Sequence, residues 1–208
     1  MPAILRPSTL WAALVLLLSL GVALFSYRYL FGGPFLAPNV VENRVANPFL
    51  ALHVAGAATA LLVGPFQFVA PLRRRSARIH RWLGRTYVAG CMLGGAAGLP
   101  LALGSTGGPL AASGFAVLSI VWLRATWLGW RYAVARRFAE HRRWMLRSWA
   151  MTLAAVTLRL MVPMIPFTGV ETTLAYGAIA WLCWTVNLAL LELGQRWPSG
   201  WRRWPSPA

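Results

Sequence analysis

Six apolar stretches, each about as long as a helix needs to cross a bilayer, are separated by short connections that alternate between arginine-rich and nearly uncharged. This spacing constrains the fold more than any single motif. In hydrocarbon every backbone N–H and C=O must find a partner without water, which leaves helices and closed barrels as spanning structures. Runs of about twenty residues are helix-length and lack the alternation of short barrel strands. The expected spans are about 9–31, 48–70, 82–103, 110–132, 148–167 and 173–193. The fold class is therefore an all-α membrane protein with six transmembrane helices. Spans two to five form a core four-helix bundle, and residues 1–208 make a single integral membrane domain. The first run is too long for a signal h-region and has no A-x-A-like site after it, so it reads as an uncleaved anchor.

Charge fixes an orientation. All 20 basic residues are arginine, there is no aspartate, and the four acidic residues are Glu42, Glu140, Glu171 and Glu192. The net charge of +16 would suggest nucleic acid in a soluble protein. With 58% hydrophobic residues and arginines confined to short loops, topology is the plainer reading and nucleic acid is not an expected partner. After six crossings, Arg6, the loop from Arg73 to Arg85, the loop from Arg131 to Arg147 and the tail with Arg196, Arg202 and Arg203 share one side. The positive-inside rule makes that side cytoplasmic, with both termini inside, and a bacterial inner membrane as the location. Trp82, Trp127, Trp130, Trp144, Trp149, Trp197, Trp201 and Trp204 fall near the same boundary, as an aromatic belt would. Partners expected from this layout are the lipid bilayer, its anionic lipids and a second membrane protein. Arg73, Arg74, Arg75 and Arg142 are the candidate headgroup contacts.

Polar residues inside the spans are the candidate site residues. Helical stepping from His53 meets Ala57, Ala60, Gly64 and Gln67, a small and polar face. From His80 it meets Gly84, Tyr87, Cys91, Gly94 and Gly98, and Gly90, Gly94 and Gly98 form a double G-x-x-x-G. From His141 it reaches Ser148, Thr152, Ala155 and Arg159. His80 before Arg85 and His141 before Arg147 make two similar helix starts about sixty residues apart. Facing imidazoles there could serve as axial ligands of a b-type haem, with Arg159 and Gln67 as polar lining. The plainer alternative puts both histidines at headgroup level. For His53 the plain reading is a neutral ring bonded to a carbonyl or hydroxyl.

Arg159 has no acidic residue at its depth in a neighbouring span, so either an anionic group, such as a haem propionate or lipid phosphate, or carbonyls freed near Pro163 must answer its charge. Arg124 has the plainer option of leaning toward the arginine-rich side. Gln67 suits interhelical hydrogen bonding or the edge of a quinone or haem. Cys91 and Cys183 sit singly in apolar runs, which disfavours a disulfide or thiolate metal site, and no metal is expected beyond a haem iron on His80 and His141. No G-x-S-x-G, P-loop, H-E-x-x-H or carboxylate pair at helical spacing occurs, so catalytic residues are unassigned.

The combination of Gly64-Pro65-Phe66-Gln67-Phe68, the run from His80 to Tyr87, the run from His141 to Met145, and Leu158-Arg159-Leu160 resembles a bacterial family of predicted membrane proteins catalogued as domain of unknown function 2306. The resemblance covers about residues 53–166 and implies a membrane protein of unassigned activity. The layout is also similar to cytochrome b561-type membrane cytochromes, which hold haems between diagonal helices with four histidines. With three histidines here, that likeness implies at most one haem, between His80 and His141. The functional expectation is haem binding or electron transfer. The alternatives are a non-enzymatic accessory or lipid-binding protein and a small transporter.

Overall fold

The computed structural model describes residues 7–32, 36–43, 45–68 and 75–196. The helices are α1 (Pro7–Ser26), α2 (Arg28–Phe31), α3 (Pro38–Val41), α4 (Ala46–Val63), α5 (Ala77–Leu103), α6 (Gly108–Val134), α7 (Phe138–Thr152), α8 (Ala154–Met161) and α9 (Thr172–Arg196). A 3₁₀ segment, Gly64–Phe68, follows α4, and another, Val162–Phe167, follows α8. No strand occurs among the described residues, and six helical segments are long and apolar enough to cross a membrane. Those segments are Leu10–Phe31, Ala46–Phe68, Ala77–Leu103, Gly108–Val134, Phe138–Phe167 and Thr172–Gln195. Five of them agree with the expected spans to within about five residues. The fifth starts ten residues earlier than expected, at Phe138 rather than Ser148. Its first turns carry Glu140, His141, Arg142, Arg143 and Arg147, which a search for apolar runs discards. Charge at a membrane boundary does not stop a helix, because long arginine stems can reach water from within it.

In the bundle α4 packs on α5, α5 on α6, α6 on α7, and α7 back toward α4, with α1 against α4 and α8 and α9 against α6, α7 and α8. The closest approach joins α4 and α5. A Cβ built on Gly90 would lie 2.7 Å from Gly56 O, and one on Gly94 would lie 2.7 Å from Ala57 N. Backbone thus meets backbone through the predicted G-x-x-x-G ridge. Gly64, at the arginine-rich end of α4, takes the ring of Trp149, which also packs against Phe68 and Tyr87. Trp149 is therefore a core residue and not part of the aromatic belt. Trp82 and Trp127 are exposed on the helix surfaces, as a belt requires, while Trp197, Trp201 and Trp204 lie outside the described residues.

Helix ends follow local chemistry. Ser76 caps α5, its Oγ accepting from Ile79 N at 3.3 Å. α6 ends in a Schellman arrangement: Arg137 N donates to Tyr132 O at 2.9 Å, Arg136 N to Ala133 O at 3.1 Å, and Arg136 adopts φ +57°. Glycine is the usual residue at such a left-handed position, since a side chain there costs about 1 kcal/mol. Arg136→Gly is thus expected to stabilise the protein by about 1 kcal/mol despite removing a surface side chain, read as a rise in thermal midpoint in detergent.

At the other end of the bundle, Glu171 Oε1 accepts from Thr173 N and Oε2 from Leu174 N, both at 2.8 Å, at the start of α9. These amides favour the carboxylate and hold the Glu171 pKa below its ordinary value. A depressed carboxyl contributes stability above its unfolded pKa, about 4.3, and that contribution disappears as pH falls through the folded value. Melting curves of wild type and Glu171→Gln should therefore differ at neutral pH and converge in acid.

Candidate functional site

The fifth span is interrupted at Leu153, where α7 ends and α8 begins, and is then ended by the 3₁₀ segment containing Pro163 and Pro166. α9 braces the break: Asn187 Nδ2 donates to Ala150 O at 3.2 Å, and Thr157 Oγ1 donates to Asn187 Oδ1 at 3.0 Å. Within α8, Arg159 lies far closer in sequence to Phe167, at the arginine-poor end, than to Phe138. Helical side chains lean toward their own N-terminus, and Arg159 follows that tilt away from the nearer surface. Its Nη1 donates to Ala155 O at 3.0 Å, one turn and about 6 Å further into the bundle. Its Nη2 donates to Ser26 Oγ on α1 at 2.9 Å, while Ser26 Oγ donates to Val22 O at 2.6 Å.

His53 approaches the same place from α4. Its Nδ1 lies 2.8 Å from Gly94 O on α5, and because a carbonyl only accepts, Nδ1 carries the proton. Nε2 is the nitrogen left for another partner. The glycine ridge makes this nook, since a Cβ on Gly98 would sit 3.1 Å from His53 Nδ1. Ser26, His53 and Arg159 are the polar lining of a cavity of about 60 Å³ whose apolar walls include Ala57, Ala58 and Leu61. Arg159 and His53 are only half-buried, so the cavity opens to the outside of the bundle between helices.

Among the described residues the guanidinium has no carboxylate partner there. Glu192 pairs with Arg147 at 2.6 Å, Glu140 pairs with Arg137, Glu171 caps α9, and Glu42 lies in the connection before α4. Of its five N–H groups, Arg159 directs one to Ser26 and one to Ala155. The carbonyl it meets is that of its own preceding turn rather than one freed near Pro163. Arg159 and His53, placed on separate faces by helical stepping, share this cavity, whereas Arg159 and His141 do not share one stripe. The break at Leu153 divides them: Ser148 and Thr152 turn to α5 and α6, and Arg159 meets α1 and α4.

Deeper toward the arginine-rich end is a second polar cluster, fully enclosed. Tyr87 OH lies 2.9 Å from Ser148 Oγ and 2.8 Å from Thr152 Oγ1, Trp122 Nε1 donates to Thr152 Oγ1 at 3.0 Å, and Thr126 Oγ1 is 2.7 Å from Ser148 Oγ. Buried hydroxyls satisfied in this way fix the mutual register of α5, α6 and α7. Tyr87, Ser148 and Thr152 stood on the stripes read from sequence. Trp122 and Thr126 did not, since neither is conspicuous in an apolar run without knowing which face of α6 is buried.

The remaining expected residues lie at the arginine-rich end. His80 is half-buried on the first turn of α5, and His141 Nδ1 donates to Gly129 O on α6 at 2.8 Å. Neither histidine lines the 60 Å³ cavity. The interior just beyond them is filled by the hydroxyl cluster and by Trp149 on Gly64. Gln67 lies beside Gly84 of α5, and its Nε2 is buried without a hydrogen-bond partner among the described residues. Arg124 is exposed with its guanidinium 6.0 Å from the Trp144 ring, leaning toward the arginine-rich end. Arg75 and Arg142 are exposed at that end, while Arg73 and Arg74 lie outside the described residues. Cys91 and Cys183 are buried free thiols. Ser26 was missed because the first span read only as an anchor, although a serine near the end of an otherwise apolar run was a usable signal.

The family described as Predicted membrane protein (DUF2306) matches residues 50–194. No curated protein and no solved structure matches the chain.

Proposed function

The chain belongs to the DUF2306 family of predicted membrane proteins, and from that premise we propose that it binds an acidic, lipid-like ligand whose charged group is held by Arg159 within the bilayer. The observation that carries this reading is a membrane-embedded guanidinium with no carboxylate partner among the described residues, beside a polar cavity. An unanswered charge in hydrocarbon costs about 3 kcal/mol on insertion scales, which a bound anion would offset. The cavity supports a carboxylate or phosphate group, or about two waters, and is far below the roughly 300 Å³ at which whole-ligand pockets begin. Only the acid group enters, and the apolar remainder lies along the helices in lipid. Arg159 supplies the charge, Ser26 orients it, and His53 Nε2 accepts a hydrogen bond from a protonated acid oxygen or a bridging water. This is a binding role with no bond-making step. The arginine distribution supports placing the arginine-rich end in the cytoplasm of a bacterial cell, which puts the Arg159 cavity nearer the outer leaflet.

Haem is the competing reading. His141 supports it in one respect, since an Nδ1 bonded to a carbonyl leaves Nε2 free for iron. Against it stands the filled interior between α5 and α7. Titrating the delipidated protein with octanoate and with a short-chain phosphatidic acid tests the acid-binding reading. Saturable stabilisation by either should be present in wild type and lost in Arg159→Gln. Equal shifts in both proteins would overturn it.

A further inference from the structure

The last two turns of α6 and the turn into α7 form a second cleft, of about 250 Å³, lined by Leu128, Arg131, Tyr132, Ala135 and Arg137. Four of these residues follow the i, i+3, i+4, i+7 pattern, so they stand on one face of α6. Arg137 joins them because the Schellman turn folds the chain back. At that end the residue after the left-handed position normally makes an apolar contact with the helix. Here the contact is the Arg137 guanidinium, 4.8 Å from the centre of the Tyr132 ring. Glu140 Oε1 accepts from Nε and Nη2 of the same guanidinium. Arg137 is thereby held beside Arg131 with Nε and Nη2 on Glu140, which leaves Nη1 to face a tetrahedral oxyanion. The cleft is graded: Leu128 lies on the membrane side, one turn deeper than Arg131 and Tyr132.

We infer that this cleft binds a phosphate group, with Arg131 and Arg137 on its oxygens, Tyr132 OH as a further donor, and Leu128 beside whatever apolar chain the phosphate carries. The source is either an anionic phospholipid headgroup or free phosphate in the adjoining water. The site is at the opposite end of the bundle from Arg159 and does not depend on it.

In the Arg159→Gln background, which removes the other acid site, reconstitute the parent and its Arg131→Gln/Arg137→Gln, Arg78→Gln and Glu140→Gln derivatives in mixed phosphatidylcholine and phosphatidylglycerol vesicles, extract them in mild detergent, and count retained phosphatidylglycerol by native mass spectrometry. The double variant should retain about tenfold less than the Arg159→Gln parent, while Arg78→Gln, an exposed arginine at the same end, retains the parent's amount. Since the exchanged side chains are surface groups, an unchanged melting curve of the double variant identifies the loss as one of binding. Glu140→Gln, which frees the Arg137 charge, should retain at least as much as the parent. In a second arm, inorganic phosphate that displaces the lipid at millimolar concentration marks the free anion as the source, and lipid that resists it marks the headgroup. Equal retention by the double variant, or an equal loss in Arg78→Gln, overturns the inference.

Discussion

Gly94→Leu is expected to lower the stability of the folded protein by at least about 3 kcal/mol, the upper range for overpacking, with a large drop in thermal midpoint in detergent. The reason is what surrounds the missing side chain. A Cβ on Gly94 would lie 2.7 Å from Ala57 N and 3.1 Å from Ala57 Cα and Cβ, so backbone rather than a movable side chain opposes it. The two helices must separate, and interhelical van der Waals contact is the main source of cohesion between helices in lipid. Separation also moves the Gly94 carbonyl from His53 Nδ1 and so disturbs the Arg159 cavity. The effect belongs to the interface and not to glycine as such. Gly21 on α1 has nothing within 4 Å of an added Cβ, and Gly21→Leu should leave the midpoint unchanged.

Arg159→Leu is expected to act in two opposite directions. In ligand-free protein it should raise stability by about 1–3 kcal/mol, because an apolar side chain replaces a charge that only a hydroxyl and a carbonyl now answer. In protein saturated with ligand the order should reverse, since only wild type gains binding free energy, about 2.7 kcal/mol at a hundredfold excess over Kd. Arg159→Gln separates charge from hydrogen bonding. It keeps a donor for Ser26 and should behave like leucine in ligand binding. Melting curves with and without octanoate distinguish these outcomes, and an Arg159→Leu protein less stable than wild type without ligand would mean that the arginine is a structural strut.

The helices were legible because a bilayer imposes one rule on every span, and apolar length reports it directly. The G-x-x-x-G ridge was legible for a similar reason, since Gly90, Gly94 and Gly98 fall one turn apart and have few other uses in a helix. The site was only half legible. His53 and Arg159 each stood out as polar groups in apolar runs, but their meeting depends on which helices adjoin, and periodicity within one helix is silent on that. The stripe from His141 to Arg159 failed as a continuous face because it assumed an unbroken helix, and the break at Leu153 has no proline or glycine to announce it. The early start of α7 was hidden by its arginines. The pairing of His80 with His141 rested on two similar helix starts and diagonal placement, and the volume between their helices is taken by Tyr87, Ser148 and Thr152, whose joint position no linear pattern reveals.

The most direct test is to identify what the protein carries when it is taken from its native membrane in mild detergent, recording the mass of each released small molecule and the optical spectrum of the same sample. The account predicts an amphipathic acid released from wild type in near-stoichiometric amount, absent from Arg159→Gln and unaffected by His80→Ala or His141→Ala. A Soret band that those histidine variants abolish, with no acid dependent on Arg159, would contradict it.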